Sequence, residues 1–180
     1  MLRVRDGEVE KLGMLYERHC GPLLNFFIRL TGNARTGEDL VHDVFLRMLK
    51  YRHTFEPGHR FTTWMYQVAR NAHFDSWRKR QHEVSLETQE TDPGETLRCP
   101  DPAPDARLNL SQEVVLLQQA LAALPLESRE VLILSRFQNL KYEEIAVILE
   151  CRVGAVKMRV HRALNELREL FRRLNGGTHL

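Results

Sequence analysis

Lys141-Tyr-Glu-Glu-Ile-Ala-Val-Ile-Leu149, then Glu150-Cys-Arg-Val153, then Gly154-Ala-Val-Lys-Met-Arg-Val-His-Arg-Ala-Leu164 is the stretch that decides the fold. The first run is a short amphipathic helix with Ile145, Ile148 and Leu149 turned inward and Ala146 small enough for close helix contact. Four residues later a second helix begins. Val156, Val160, Ala163, Leu164, Leu167 and Phe171 fall on its buried stripe, and Met158, His161, Arg162 and Asn165 fall roughly opposite, flanked by Lys157 and Arg159. Two helices joined by so short a turn make a helix-turn-helix, whose second helix lays its first residues in the DNA major groove. From Arg152 to Arg173 there are seven Lys and Arg against two Glu, so the outer face suits phosphate. A generic basic amphipathic helix would not need the short helix and turn before it. Met158 and His161 are weak base readers, and only Arg162 offers a bidentate donor, so shape and backbone contacts carry much of the expected specificity.

Working outward, the same helical period recurs along the 180 residues, near 8–20, 22–31, 36–51, 62–81, 111–123, 126–137, 141–149 and 153–173. No strand alternation and no Asn-Gly or Asp-Gly hairpin signal interrupts it. Thr36 with Asp39 three residues on reads as a helix start, and Pro125 as another. Between the helical halves, 82–110 carries 2 basic against 7 acidic residues, and Gln81 to Leu110 holds four of the seven prolines. So little apolar surface cannot offset an ordering cost of about 1–2 kcal/mol per residue. The expected fold is all-α: two small helical domains, 8–81 and 111–174, joined by a flexible acidic linker. It is either an inert tether or a negative strand that occupies a positive channel on a partner. The halves themselves are basic, 14 against 9 over 1–81 and 10 against 8 over 111–180, which suggests an anionic partner touched at two places.

In the first half, the helix near 36–51 turns Leu40, Val41, Val44, Phe45 and Met48 to one side and Asp39, His42, Asp43 and Leu46 to another. A leucine among acids hints at a docking surface for a basic amphipathic partner. In the helix near 62–81, Met65, Val68 and Ala72 read as the core stripe behind Phe61. Trp64, Gln67, Asn71, Phe74 and Arg78 lie to one side of it, and Tyr66, Arg70, His73 and Trp77 to the other. Aromatics interleaved with cations fit single-stranded nucleic acid, with bases stacked on rings at about 1–3 kcal/mol each. Each tryptophan taken alone could equally pack against neighbouring helices. The loop Arg52 to Arg60, turning at Pro57-Gly58, could wall a pocket for an unstacked base.

Several classes are excluded. No apolar run reaches the roughly 18 residues of a membrane span, and Met1 to Glu10 has no apolar signal region. Cys20, Cys99 and Cys151 form no C-x-x-C pair, so the chain reads as reduced and cytoplasmic. Its eight histidines show no standard ligand spacing, and no phosphate loop, nucleophile elbow or catalytic carboxylate pair is present, so no metal, cofactor or enzymatic activity is expected.

Three blocks in order resemble the extracytoplasmic-function sigma factors of bacterial RNA polymerase: Glu38-Asp-Leu-Val-His-Asp-Val-Phe-Leu-Arg47; Phe61-Thr-Thr-Trp-Met-Tyr-Gln-Val-Ala-Arg-Asn71 with Asp75 and Arg78; and Leu124-Pro125, Arg129-Glu130-Val131, Tyr142 to Ala146 and Gly154 to Ala163. The resemblance covers about Leu12 to Arg173. It implies a non-enzymatic initiation subunit that binds core polymerase and promoter DNA. Asp39, Leu40, His42, Asp43 and Phe45 would meet the polymerase. His59, Arg60, Phe61, Thr62, Trp64, Gln67, Arg70 and Asn71 would line the site for the melted, single-stranded minus-ten element, with one base flipped out. Arg152, Lys157, Met158, Arg159, His161 and Arg162 would face the duplex minus-thirty-five element. An anti-sigma factor is the regulator the resemblance implies. The sequence departs from the family pattern at His42, where Gln is usual, at Glu150, where the turn normally has Gly, at Cys151, usually aliphatic, and at Ala155, where Thr is common. A non-glycine residue held left-handed at 150 would cost about 1 kcal/mol, so a differently built turn is expected. A free helix-turn-helix regulator would explain 111–173 but not the aromatic helix. A sigma mimic that only sequesters an anti-sigma factor should lack the basic face.

Overall fold

The computed structural model describes residues 1–83 and 112–176. Those residues are helical with no strand among them. In chain order the helices are α1 (Leu2–Arg5), α2 (Lys11–Thr31), α3 (Ala34–Lys50), α4 (Phe61–Glu83), α5 (Gln112–Ala123), α6 (Leu126–Leu132), α7 (Tyr142–Ile148) and α8 (Val153–Gly176). A 3-10 turn, Arg52–Thr54, follows α3, and a π-helical turn, Ile133–Phe137, continues α6. The expected linker lies outside the described residues except for its first two, which continue α4.

Helices α2, α3 and α4 form the first bundle. Leu23, Phe26, Phe27 and Leu30 of α2 meet Leu40, Val41, Val44 and Met48 of α3 and Met65, Ala69 and Ala72 of α4. Gly37 lets α2 and α3 close up, because a Cβ there would stand 3.3 Å from the Ile28 and Leu24 side chains. Two expectations change here. The predicted break between 20 and 22 is absent: α2 runs through Pro22, which costs one backbone donor inside the helix rather than ending it. The start of α3 is Asn33, not Thr36. The Asn33 backbone is extended and its Oδ1 accepts the Thr36 N–H at 3.0 Å, so Thr36 lies one turn inside the helix. The α4 stripe is also shifted. Met65, Ala69 and Ala72 are fully buried, whereas Val68 is only half-buried.

Helices α5 to α8 form the second bundle around Val131, Leu132, Ile145, Ile148, Val156 and Val160. Arg129 donates through Nη2 to the carbonyls of Ala122 and Leu124, closing the end of α5. The helix-turn-helix turn keeps the left-handed residue: Glu150 has φ 51°. The Glu150 N–H reaches the Val147 carbonyl at 3.3 Å and the Cys151 N–H the Ala146 carbonyl at 2.9 Å, which is the two-bond Schellman closure of α7. Cys151 packs half-buried against the core. The expected alternative turn is therefore not adopted; two hydrogen bonds and an apolar contact outweigh the backbone strain.

The two bundles are packed on one another, with α4 against α7 and α2 against α5, α6 and the π-helical turn, and their buried residues form one continuous core. Tyr66 and His73, on the flank of α4 expected to favour nucleic acid, are buried at 3% and 5% exposure.

Candidate nucleic-acid interface

The six residues expected to face duplex DNA, Arg152 just before α8 and Lys157, Met158, Arg159, His161 and Arg162 on it, are all exposed, over a floor of buried Val156, Val160 and Ala163. The floor follows the 3.6-residue period, so the opposite side presents cations and one bare thioether to solvent, Met158 being 66% exposed. Helix α7 is held at its start by Glu144, whose Oε2 accepts the Lys141 N–H at 2.9 Å, the returning half of a capping box.

The single-strand expectation falls on α4 and the loop before it. Phe55, 5% exposed, anchors this loop. The Trp64 ring meets it edge-on at 5.4 Å and lies tilted against Phe61 at 6.4 Å. Trp64 Nε1 donates to Thr54 Oγ1 at 3.2 Å, so loop and helix are tied together around a half-buried indole. Beside it opens a cleft of about 810 Å³, walled by Arg47, Tyr51, Thr54, Trp64, Gln67, Arg70, Asn71, Phe74, Asp75 and Arg78, with Ile148 and Glu150 of the second bundle on its far side. Arg47 crosses its floor, bonded to Asp43 at 2.9 Å and Asp75 at 2.6 Å. Of the eight expected residues, His59, Arg60 and Asn71 are exposed, and Phe61, Thr62, Trp64, Gln67 and Arg70 are half-buried.

Three of them point into the other bundle. Arg60 Nη1 bonds Glu144 Oε1 at 2.9 Å, Arg70 Nε meets Glu130 Oε1 at 3.2 Å, and Gln67 Nε2 donates to the Val147 carbonyl at 3.2 Å. Burial raises the Glu130 carboxyl above its ordinary range, against the opposing pull of Arg70. The sequence reading missed Glu130 and Glu144 as partners of these groups. The one available signal was a pair of acids at inward positions of helices otherwise apolar there.

The third expected surface lies on α3. Asp39 and His42 are exposed and Asp43 is half-buried beneath Arg47, but Leu40 and Phe45 belong to the core at 3% and 6% exposure. Leu46 is 54% exposed, as its place among acids suggested. With His42, Phe45 and Leu49 it borders an apolar groove of about 350 Å³ whose other wall, Leu12, Tyr16 and Glu17, comes from α2. That wall was not expected. Tyr16 stacks edge-on to Phe45 at 4.9 Å and fixes the groove floor. Among the described residues no cluster of His, Cys, Asp and Glu is arranged to hold a metal ion. No helix there is long and apolar enough to cross a membrane.

Family models match both halves of the chain: Sigma-70 region 2 over residues 15–83 and Sigma-70, region 4 over 115–167. The RNA polymerase sigma factor CarQ of Myxococcus xanthus is 31% identical over 171 residues, covering 95% of both chains. The ECF RNA polymerase sigma factor EcfG of Rhodopseudomonas palustris is 36% identical over 146 residues, 81% of this chain and 77% of that one. Among solved structures, the sigma factor RpoE in complex with the anti-sigma factor NepR from Bartonella quintana superposes with a TM-score of 0.70 at 26% identity, covering 91% of this chain and 98% of the other. CnrH in complex with the cytosolic domain of CnrY gives 0.67 at 25% identity over 94% and 92%.

Proposed function

The chain belongs to the extracytoplasmic-function sigma factors of RNA polymerase, and from that premise we propose how its surfaces divide the work of starting transcription. Residues 111–174 read duplex minus-thirty-five DNA through α8, with Arg152, Lys157, Arg159 and Arg162 on phosphates and base edges and Met158 and His161 making shape contacts. Residues 8–81 bind core polymerase and capture melted minus-ten DNA. His59 to Thr62, Trp64, Gln67, Arg70 and Asn71 line that capture site, and the cleft beside Trp64 receives the unstacked base. The polymerase contact is the groove between α2 and α3, which His42 and Leu46 line, together with Asp39 and Asp43 elsewhere on α3. Phe45 supports it from beneath, and Leu40 holds α3 in the core. The acidic segment 82–110 passes through the polymerase. The protein acts in the cytoplasm, lends specificity to the polymerase's chemistry and performs none of its own. An anti-sigma factor of the kind bound to the RpoE and CnrH neighbours holds it inactive until a signal arrives.

The observation that carries this reading is the pairing of two unlike surfaces on one chain: a recognition helix with its basic side exposed, and an aromatic cleft edged by arginines on a different bundle. Neither alone needs tight affinity, because polymerase presents both to one promoter and effective concentration multiplies their strengths. Reconstituted transcription with core enzyme is the test. Promoter-dependent initiation that vanishes when the chain is omitted is expected, and its absence would refute the assignment. Capture of polymerase subunits by an Asp43→Ala variant at wild-type level would remove Asp43 from the docking face.

A further inference from the structure

We propose that the crevice walled by α2, α4 and α6 is an anion site that takes a free phosphorylated nucleoside, with its phosphates against Arg80, Arg129 and His73 and its base on Trp77. The crevice holds about 720 Å³ and shares no lining residue with the single-strand cleft. It lies outside the surfaces assigned to DNA and to polymerase, and goes beyond the sigma reading. Its charge is uncompensated. Three basic side chains line it, and among the described residues no acid does. Arg129 gives Nη1 to the Leu30 carbonyl at 2.7 Å and Nη2 to the carbonyls of Ala122 and Leu124, all neutral acceptors. Its Nε is buried without an acceptor. The carbonyls therefore fix this guanidinium in place and leave its charge unpaired. His73 is buried at 5% exposure, lines the crevice, and makes no hydrogen bond among the described residues. Burial first, then Arg80 and Arg129, hold its imidazole neutral at pH 7, so both arginines stand close enough to act on it. An anion set among these three groups relieves their mutual repulsion and accepts charge-assisted hydrogen bonds from the arginines.

A bare phosphate would leave most of this volume empty, since crevices of several hundred Å³ suit drug-sized ligands. Trp77 is 48% exposed on the crevice wall, with Leu126 half-buried beside the same space. A planar base can stack on that indole whichever base it is. Nothing on the wall reads a base edge. The one hydroxyl, that of Thr31, donates to the Phe27 carbonyl at 2.8 Å. Selection thus falls on the phosphates. A terminal phosphate carries nearly two charges near pH 7, against one on a phosphodiester, which favours a free nucleotide over a nucleic-acid strand.

Isothermal titration calorimetry of the full chain with ADP, GDP, adenosine and inorganic pyrophosphate tests this. ADP and GDP should bind within about threefold of each other, and adenosine and pyrophosphate each at least about tenfold more weakly. Arg80→Gln should weaken ADP and pyrophosphate alike, by about tenfold. Trp77→Ala should weaken ADP by about tenfold and leave pyrophosphate unchanged. Both substituted side chains are exposed, so circular dichroism should match the wild type. No binding of ADP at millimolar concentration would overturn the proposal, as would adenosine binding as well as ADP, or ADP binding that neither variant weakens. Displacement of ADP by single-stranded DNA of random sequence at equal phosphate concentration would assign the crevice to nucleic acid and overturn it too. None of these results bears on promoter-dependent initiation, whose loss would strike the sigma assignment and leave the crevice as it stands.

Discussion

Glu150 holds φ at 51° with no glycine to ease it, and pays for the strain with the two closing hydrogen bonds of α7. Replacing it by glycine should raise stability by about 0.5–1 kcal/mol, seen as a higher urea midpoint at unchanged slope. An unchanged or lower midpoint would mean that the Glu150 side chain contributes more than its backbone costs. At the other bundle, Asn33→Ala removes the acceptor of the Thr36 N–H and should cost about 1 kcal/mol in the same measurement. Thr36→Ala should cost less, since Thr36 lies inside the helix. Position 150 was legible in the sequence as the turn between two helical patterns, but its left-handed backbone was not, because the strain of a non-glycine residue argued for a different turn and the two offsetting hydrogen bonds appear only in the fold. The cap was not, because Asn33 and Thr36 are both good caps and only the backbone angle separates them. The exposed cations of α8 were legible one by one for the opposite reason: a helix with a continuous apolar floor leaves the rest of its circumference to water.

At the level of whole helices, period identifies which side of a helix is buried but not what buries it. Helix α4 shows this most clearly. Its Trp64–Gln67–Asn71 flank borders the cleft as expected, while Tyr66 and His73 on the other flank are covered by the second bundle. The sequence period predicts two helices, near 8–20 and 22–31, where the structure has the single α2, whose packing along Leu23, Phe26, Phe27 and Leu30 outweighs the donor lost at Pro22. The groove between α2 and α3 was half legible. Leu46 gave away the α3 side, and nothing near Leu12 and Tyr16 distinguishes them from ordinary core residues. For α8 as an element, Lys157→Ala should weaken binding to duplex promoter DNA about equally across sequences and lower the slope of log affinity against log salt by roughly 0.9. Arg162→Ala should in addition relax discrimination at one base pair by about 1–3 kcal/mol. Equal sequence dependence in the two variants would show that Arg162 reads phosphate alone.

Across the whole molecule, the junction of the bundles is where sequence reading stopped. Two basic halves and an acidic segment predict separate bodies, and the arginine–glutamate pairs that join them lie 60 and 84 residues apart in the chain. The same junction makes stability depend on pH. His73 sits in a crevice with Leu30, Thr31, Trp77, Arg80, Leu126 and Arg129, and burial first, then Arg80 and Arg129, push its pKa down to about 4 from an ordinary 6.5. Between those values the unfolded chain holds a proton that the folded chain refuses, so stability falls as pH drops below 6.5. Glu130 opposes this. Its carboxyl is raised by burial, so its share of stability is largest in acid and is lost as pH rises; Glu127 adds to that shift, and Arg70 and Arg159 reduce it. The two groups therefore act in opposite senses on acidification, His73 lowering stability and Glu130 raising it. From pH 7 to pH 5 the His73 term amounts to a loss of about 2 kcal/mol. Urea unfolding at the two pH values, on the wild type and on His73→Gln, measures it. The variant should keep most of the stability the wild type loses on acidification, and His73→Gln combined with Glu130→Gln should be flatter still across that interval. If wild type and His73→Gln lose equal stability between pH 7 and 5, His73 is not the group that acid reaches at the junction.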